Sequence, residues 1–191
     1  MSKEYADRPI GVFDSGQGGL TVLSRLVDLM PNEDYVFYGD SANAPYGVKS
    51  KEEVYQLAKR VVDELIDKHQ VKAVMIACNT ATSAAADRLR REYSLPIIGI
   101  EPAVKPAAEE NPGRQVVAMA TPLTLEQDKF NQLVAECTEP GQVVKVPAPK
   151  LVELIEKGQT DSPAIYQYLE ELLAPYAGKA AGVVLGCTHF P

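Results

Sequence analysis

Two cysteines, Cys78 in ACNTATSAA and Cys187 in GCTHFP, each follow a short apolar run, and Cys78 directly precedes a predicted helix. In open α/β sheets ligands gather at the carboxyl ends of strands, and a helix amino terminus there stabilises a thiolate. A thiol of ordinary pKa about 8.5 needs only a modest shift to give or take a proton near neutrality. Two such thiols facing one carbon can remove a proton from one side and return another from the opposite side, which inverts the centre. A hydrolase would need only one nucleophile. The plainer reading of either cysteine alone is a small buried core residue, but their matched settings favour function. Cys137, at the polar end of a predicted helix, has no counterpart and reads as structural.

Other chemistry-bearing residues fall at the same predicted edge. Asp14 and His189 are candidate tuners, one for each thiol, although an aspartate after a strand often caps a turn and a histidine there is often just hydrogen-bonded. Asp14-Ser15-Gly16-Gln17-Gly18-Gly19 follows a strand and opens a helix, so its backbone N–H groups can meet an anion. It matches neither the dinucleotide fingerprint nor the P-loop, and an ordinary strand–helix turn is the competing reading. Asn79, Thr80, Thr121 and Thr188 add amide and hydroxyl groups that either bind a carboxylate or cap helices. The long polar loop Gly39 to Gly47 offers Tyr46 and the Gly47 backbone to a second carboxylate, or is a structural turn. With only His69 and His189 and no Cys-x-x-Cys, no metal site is expected.

These residues require a scaffold of strands covered on both faces. Continuous apolar runs predict strands at Pro9 to Phe13, Tyr35 to Gly39, Ala73 to Ala77, Ile97 to Ile100, Val116 to Ala120, Val143 to Val146 and Gly182 to Gly186. Helical spacing predicts helices over Leu20 to Met30, Lys51 to Lys68, Ala81 to Glu92, Leu123 to Glu136, Leu151 to Glu156 and Pro163 to Leu173. Ser50 and Glu53 form a capping box before the second of these. The alternation gives an α/β fold with mainly parallel sheets.

The two halves repeat one another. Ser15 and Thr121, Tyr35 and Val143, and Cys78 and Cys187 are paired at offsets of 106, 108 and 109 residues. Three matches in order predict two similar α/β domains, residues 1–98 and 99–191, joined near 98–114, with the active site in the cleft between them. After Cys187 only four residues remain, so the second half reads as incomplete and the chain as truncated or part of a longer product. A net charge of −7 without any basic stretch gives nucleic acid or an anionic membrane no footprint. No apolar run approaches the roughly 20 residues of a membrane span and no signal peptide is evident, so a soluble, cytoplasmic protein with reduced thiols is expected.

FDSGQGGLTVL, GDSANAPYG, ACNTATSAA, IEPA, TPLT and GCTHFP together resemble the glutamate racemases of the aspartate/glutamate racemase superfamily, across nearly the whole chain. The resemblance implies two pseudosymmetric domains and cofactor-independent interconversion of L- and D-glutamate, supplying D-glutamate for bacterial peptidoglycan. It implies that Cys78 and Cys187 exchange protons with substrate, that Asp14 and His189 assist, and that Glu156 supports the histidine. Substrate contacts would fall on Asp14, Ser15, Tyr46, Gly47, Asn79, Thr80, Thr188, His189 and, from the repeat, Thr121. Family members often carry a cysteine where Ala148 stands, a difference of little consequence, and homodimers are common among them. Two other readings remain open on residues alone: a racemase for aspartate or another small acid, and a noncatalytic carboxylate-binding module.

Overall fold

Runs such as IGVFD and AVMI have no polar face to offer solvent, and they become parallel strands sandwiched by helices. The computed structural model describes residues 3–137 and 139–191. After a short α1 (Lys3–Ala6), strands β1 (Ile10–Asp14), β2 (Tyr35–Gly39), β3 (Ala73–Ile76) and β4 (Ile97–Gly99) form a parallel sheet in the order β2-β1-β3-β4. Helices α2 (Leu20–Leu29), α3 (Lys51–His69) and α4 (Asn79–Glu92) connect them. A second parallel sheet of β5 (Gln115–Ala120), β6 (Val143–Pro147) and β7 (Ala180–Leu185) has the order β6-β5-β7. Thus β2-β1-β3 in one sheet corresponds to β6-β5-β7 in the other, the order expected of the internal repeat.

Helix α3 starts where the sequence places it. Ser50 Oγ accepts the Glu53 N–H and the Glu53 carboxylate accepts the Ser50 N–H, satisfying two donors left over at the helix end. Its stripe of Val54, Ala58, Val61, Val62 and Leu65 is buried against the first sheet with Phe13, Val74 and Ile76. Each such side chain stabilises the fold by about 1.5–3 kcal/mol relative to exposure. The second sheet has a core on each face. Val116, Ala118 and Ala120 pack towards Val104, Leu125 and Phe130, while Val117 and Met119 pack towards Val146, Leu151 and Ile165.

Two expectations about elements need correction. The single helix expected over Leu123 to Glu136 is two, α6 (Pro122–Glu126) and α7 (Asp128–Cys137), separated at Gln127 by extended backbone with φ −68° and ψ 143°. Leu125 and Phe130 both enter the same core. Five positions along one continuous helix would point them about 140° apart, so the break brings both inward. Between the halves lies α5 (Val104–Glu109), which sequence patterning did not find. Pro106 interrupts its signature, yet proline is tolerated in the first turn, where its missing N–H has no partner to lose. The remaining helices are α8 (Leu151–Glu156) and α9 (Pro163–Leu173), as expected. Among the described residues no helix is long and apolar enough to cross a membrane.

Candidate functional site

In each sheet the first strand, β1 or β5, is flanked on opposite sides by the next two, so chain direction across the sheet reverses beside it. Crevices form at the carboxyl ends of strands where this happens. Asp14 ends β1 and Cys78 follows β3; Thr121 follows β5 and Cys187 follows β7. The four positions therefore occupy equivalent places at the two reversal points.

Asp14 is fully buried. One carboxylate oxygen accepts the Gly16 N–H at 2.9 Å, and the other accepts the Thr188 hydroxyl from the opposite half at 3.0 Å. Burial holds its pKa above the usual carboxylate value, opposed by the charge of His189 and by these hydrogen bonds. Cys78 caps α4: its sulfur accepts the Ala81 N–H at 3.4 Å and lies 3.3 Å from the Ser15 hydroxyl. Burial, reinforced by the Asp14 charge, pushes this thiol up to about 11, while Ser15 and Ala81 pull the other way.

On the other side Cys187 Sγ stands 3.9 Å from His189 Nδ1, and His189 Nε2 is 2.6 Å from Glu156 Oε1. With the Nε2 proton donated to that carboxylate, Nδ1 is left as an acceptor facing the thiol. Burial raises the Cys187 thiol strongly; the His189 N–H opposes it and the charges on Cys78 and Asp14 add to it. Each sulfur thus has an acid–base neighbour, and the two sulfurs are near enough to influence one another electrostatically.

The glycine-rich turn fits the opposite half as closely as it would fit an anion. A Cβ on Gly16 would lie 2.1 Å from Glu156 Oε1, and one on Gly18 would lie 2.7 Å from the backbone nitrogen of His189. The Gln17 N–H also donates to Glu156 at 3.2 Å. Thr80, Thr121 and Thr124 form a buried triangle of hydroxyls at 2.9, 2.9 and 3.2 Å, joining α4 to α6 across the halves. Thr121 caps α6 as well, accepting the Thr124 N–H. Asn79 is buried in the first turn of α4, and Ser15 and Thr188 are buried beside their cysteines.

Contacts link Asp14 to Thr188, Ser15 to Cys78, Cys187 and Glu156 to His189, and Thr80 to Thr121, whereas the Tyr46 side chain turns away from them. Tyr46 is buried with its hydroxyl directed to Asp40, leaving the backbone of Tyr46 and Gly47 next to Thr121. Sequence reasoning missed Thr124, although its spacing of three from Thr121 in TPLT was a usable signal. It also missed Asp40 and Arg60, whose partnership has no local pattern.

Fold and site define an α/β protein whose two parallel sheets bring buried polar groups and two thiols together at their carboxyl ends. The profile of the family described as Asp/Glu/Hydantoin racemase matches residues 10–191, and the chain belongs to that family. It is 51% identical over 185 residues to a glutamate racemase of Clostridium novyi, covering 96% of this chain and 71% of that protein. With a Clostridium kluyveri glutamate racemase it shares 50% identity over 188 residues, covering 97% and 72% of the two chains. Among solved structures, Escherichia coli glutamate racemase in complex with L-glutamate and the activator UDP-MurNAc-Ala superimposes with a TM-score of 0.84 at 31% identity, covering 96% of this chain and 71% of that one. A Francisella tularensis glutamate racemase in complex with D-glutamate gives 0.81 at 34% identity, covering 97% and 70%.

Proposed function

We propose that this chain is a glutamate racemase, interconverting L- and D-glutamate by cofactor-independent proton transfer between Cys78 and Cys187 and supplying D-glutamate for peptidoglycan synthesis. Relatives at about half identity support the reaction class, and structures with bound L- and D-glutamate support the substrate. The observation that carries the reading is the pairing of two buried thiols at equivalent strand ends, each beside its own acid–base group.

In this reading one thiolate takes the α-proton and the C–H electron pair stays on the substrate. The opposite thiol then donates its proton to the other face of that carbon. The charge that develops spreads into the α-carboxylate, which N–H groups at the starts of α2 and α4, with Asn79, Thr80, Thr121 and Thr188, are suited to hold. Ser15 and Asp14 serve the Cys78 side. His189, oriented by Glu156, serves the Cys187 side by taking the thiol proton on Nδ1. Burial alone keeps both thiols protonated, so the substrate ammonium has a second role, because a positive charge entering the cleft favours a thiolate. Residues 1–98 and 99–191 act as two pseudosymmetric domains, each contributing one thiol.

The test is solvent exchange. In D2O the protein is expected to incorporate deuterium at the α-carbon of glutamate, and Cys78→Ala and Cys187→Ala are each expected to lose racemisation. A folded protein that binds glutamate without exchange, or full turnover by either variant, refutes the proposal.

A further inference from the structure

Within the loop from Gly39 to Gly47 sits a carboxylate with no place in the proton-transfer scheme. Asp40 follows β2, and its N–H donates to the Asp14 carbonyl at 3.0 Å, carrying the β1–β2 ladder one residue past Gly39. Its side chain is 4% exposed, yet four donor contacts converge on it. The Tyr46 hydroxyl donates at 2.7 Å, Asn43 Nδ2 at 2.8 Å, and one guanidinium nitrogen of Arg60 lies 3.3 and 3.4 Å from its two oxygens. A carboxylate is tolerated at such depth when it is paired this fully. Arg60 reaches it from a half-exposed position on α3, so the loop is tied to that helix at one point.

What Asp40 holds borders the second half. The Tyr46 ring is buried and packs at 57° to Phe13, so ring and hydroxyl are both held. The next residue, Gly47, lies flush against the second half: a Cβ there would be 2.4 Å from Thr121 Cβ. Any movement of Tyr46 is therefore passed to the Tyr46–Gly47 backbone where it meets Thr121.

We infer that Asp40 is a positioning residue, which through Tyr46 sets the Tyr46–Gly47 backbone against Thr121 and so fixes the end of the cleft that receives the substrate's distal carboxylate. The inference rests on the glutamate reading and assigns that end of the substrate to this loop. It makes Asp40 a determinant of affinity and chain-length preference rather than of proton transfer.

Steady-state kinetics and calorimetric glutamate binding on the same proteins test it. In Asp40→Ala the KM for L-glutamate rises by roughly tenfold, the scale of one lost hydrogen bond to a charged group, with the smaller part of the loss in kcat. L-aspartate binding, measured in the same calorimeter, is expected to change less, because a shorter ligand does not reach the displaced wall. Asp40→Asn recovers most of the affinity, since its amide oxygen still accepts Tyr46 and the Asn43 amide can turn to match. Tyr46→Phe reproduces the Asp40→Ala effect, and the double variant is no worse than the worse single one. A loss confined to kcat, additive effects in the double variant, or Asn no better than Ala at position 40 overturns the inference. If the wild type binds glutamate and exchanges its α-proton while these variants bind as tightly, only the inference falls; if the wild type does neither, the glutamate reading falls with it.

Discussion

Cys78 and Cys187 occupy surroundings that oppose ionisation, which has a consequence for stability as well as for chemistry. Burial is the leading cause of the upward shift in both, and for Cys78 it moves the thiol from 9.0 to about 11. Between those values the unfolded chain has released a proton that the folded chain still holds. Because the unfolded state then binds fewer protons, stability falls as pH rises through this window. Asp14 has the same sense in the acid range: its raised pKa means the folded state gains the proton first, so its contribution improves as pH falls. Urea midpoints measured between pH 8 and 11 are expected to decline, and to decline less steeply in Cys78→Ala. Equal slopes in the two proteins would remove burial of the Cys78 thiol as the cause.

At the scale of elements, the turn between β1 and α2 joins the two reversal points. Its glycines matter because no side chain fits between this turn and the segment carrying His189. Gly18→Ala places a methyl group 2.7 Å from the His189 backbone nitrogen and from the Thr188 carbonyl carbon, atoms that cannot swing aside. The variant is expected to stay folded and to lose racemisation by about a hundredfold, since displacement near 1 Å at reacting groups carries a penalty of that order. Turnover at the wild-type rate in a folded Gly18→Ala protein would show that this approach does not matter. The same element marks how far sequence carries. Strands such as Tyr35–Gly39 and helices such as α9 are legible because continuous apolar runs and capped, periodic segments have few alternative structures. The break at Gln127 is not legible, because it answers to where Leu125 and Phe130 meet the second sheet. Nor is the Asp40–Arg60 contact, between residues 20 positions apart with no periodic relation. Cys78 and Cys187 stood out through the internal repeat and their strand ends and Asp14 through its strand end, whereas Glu156 came only from family resemblance. Its 2.6 Å contact with His189 gives that assignment a geometry.

For the whole molecule, duplication of one β-α-β arrangement explains why the two sides of the cleft carry similar equipment. The copies are not equivalent in detail: a serine and an aspartate stand beside one thiol, an imidazole and a glutamate beside the other. Hydrogen bonds such as Thr188 to Asp14, the threonine triangle and the 3.7 Å ion pair of Lys129 with Asp87 join the halves around this asymmetry. Two acid–base groups on opposite faces of one carbon make a prediction that a single group does not. When the protein turns over L-glutamate in D2O and is stopped early, the D-glutamate formed should carry deuterium at the α-carbon while the remaining L-glutamate keeps its original hydrogen. Deuterium appearing equally in both enantiomers from the first turnovers would mean that one group serves both faces, and would contradict the pairing of Cys78 with Cys187.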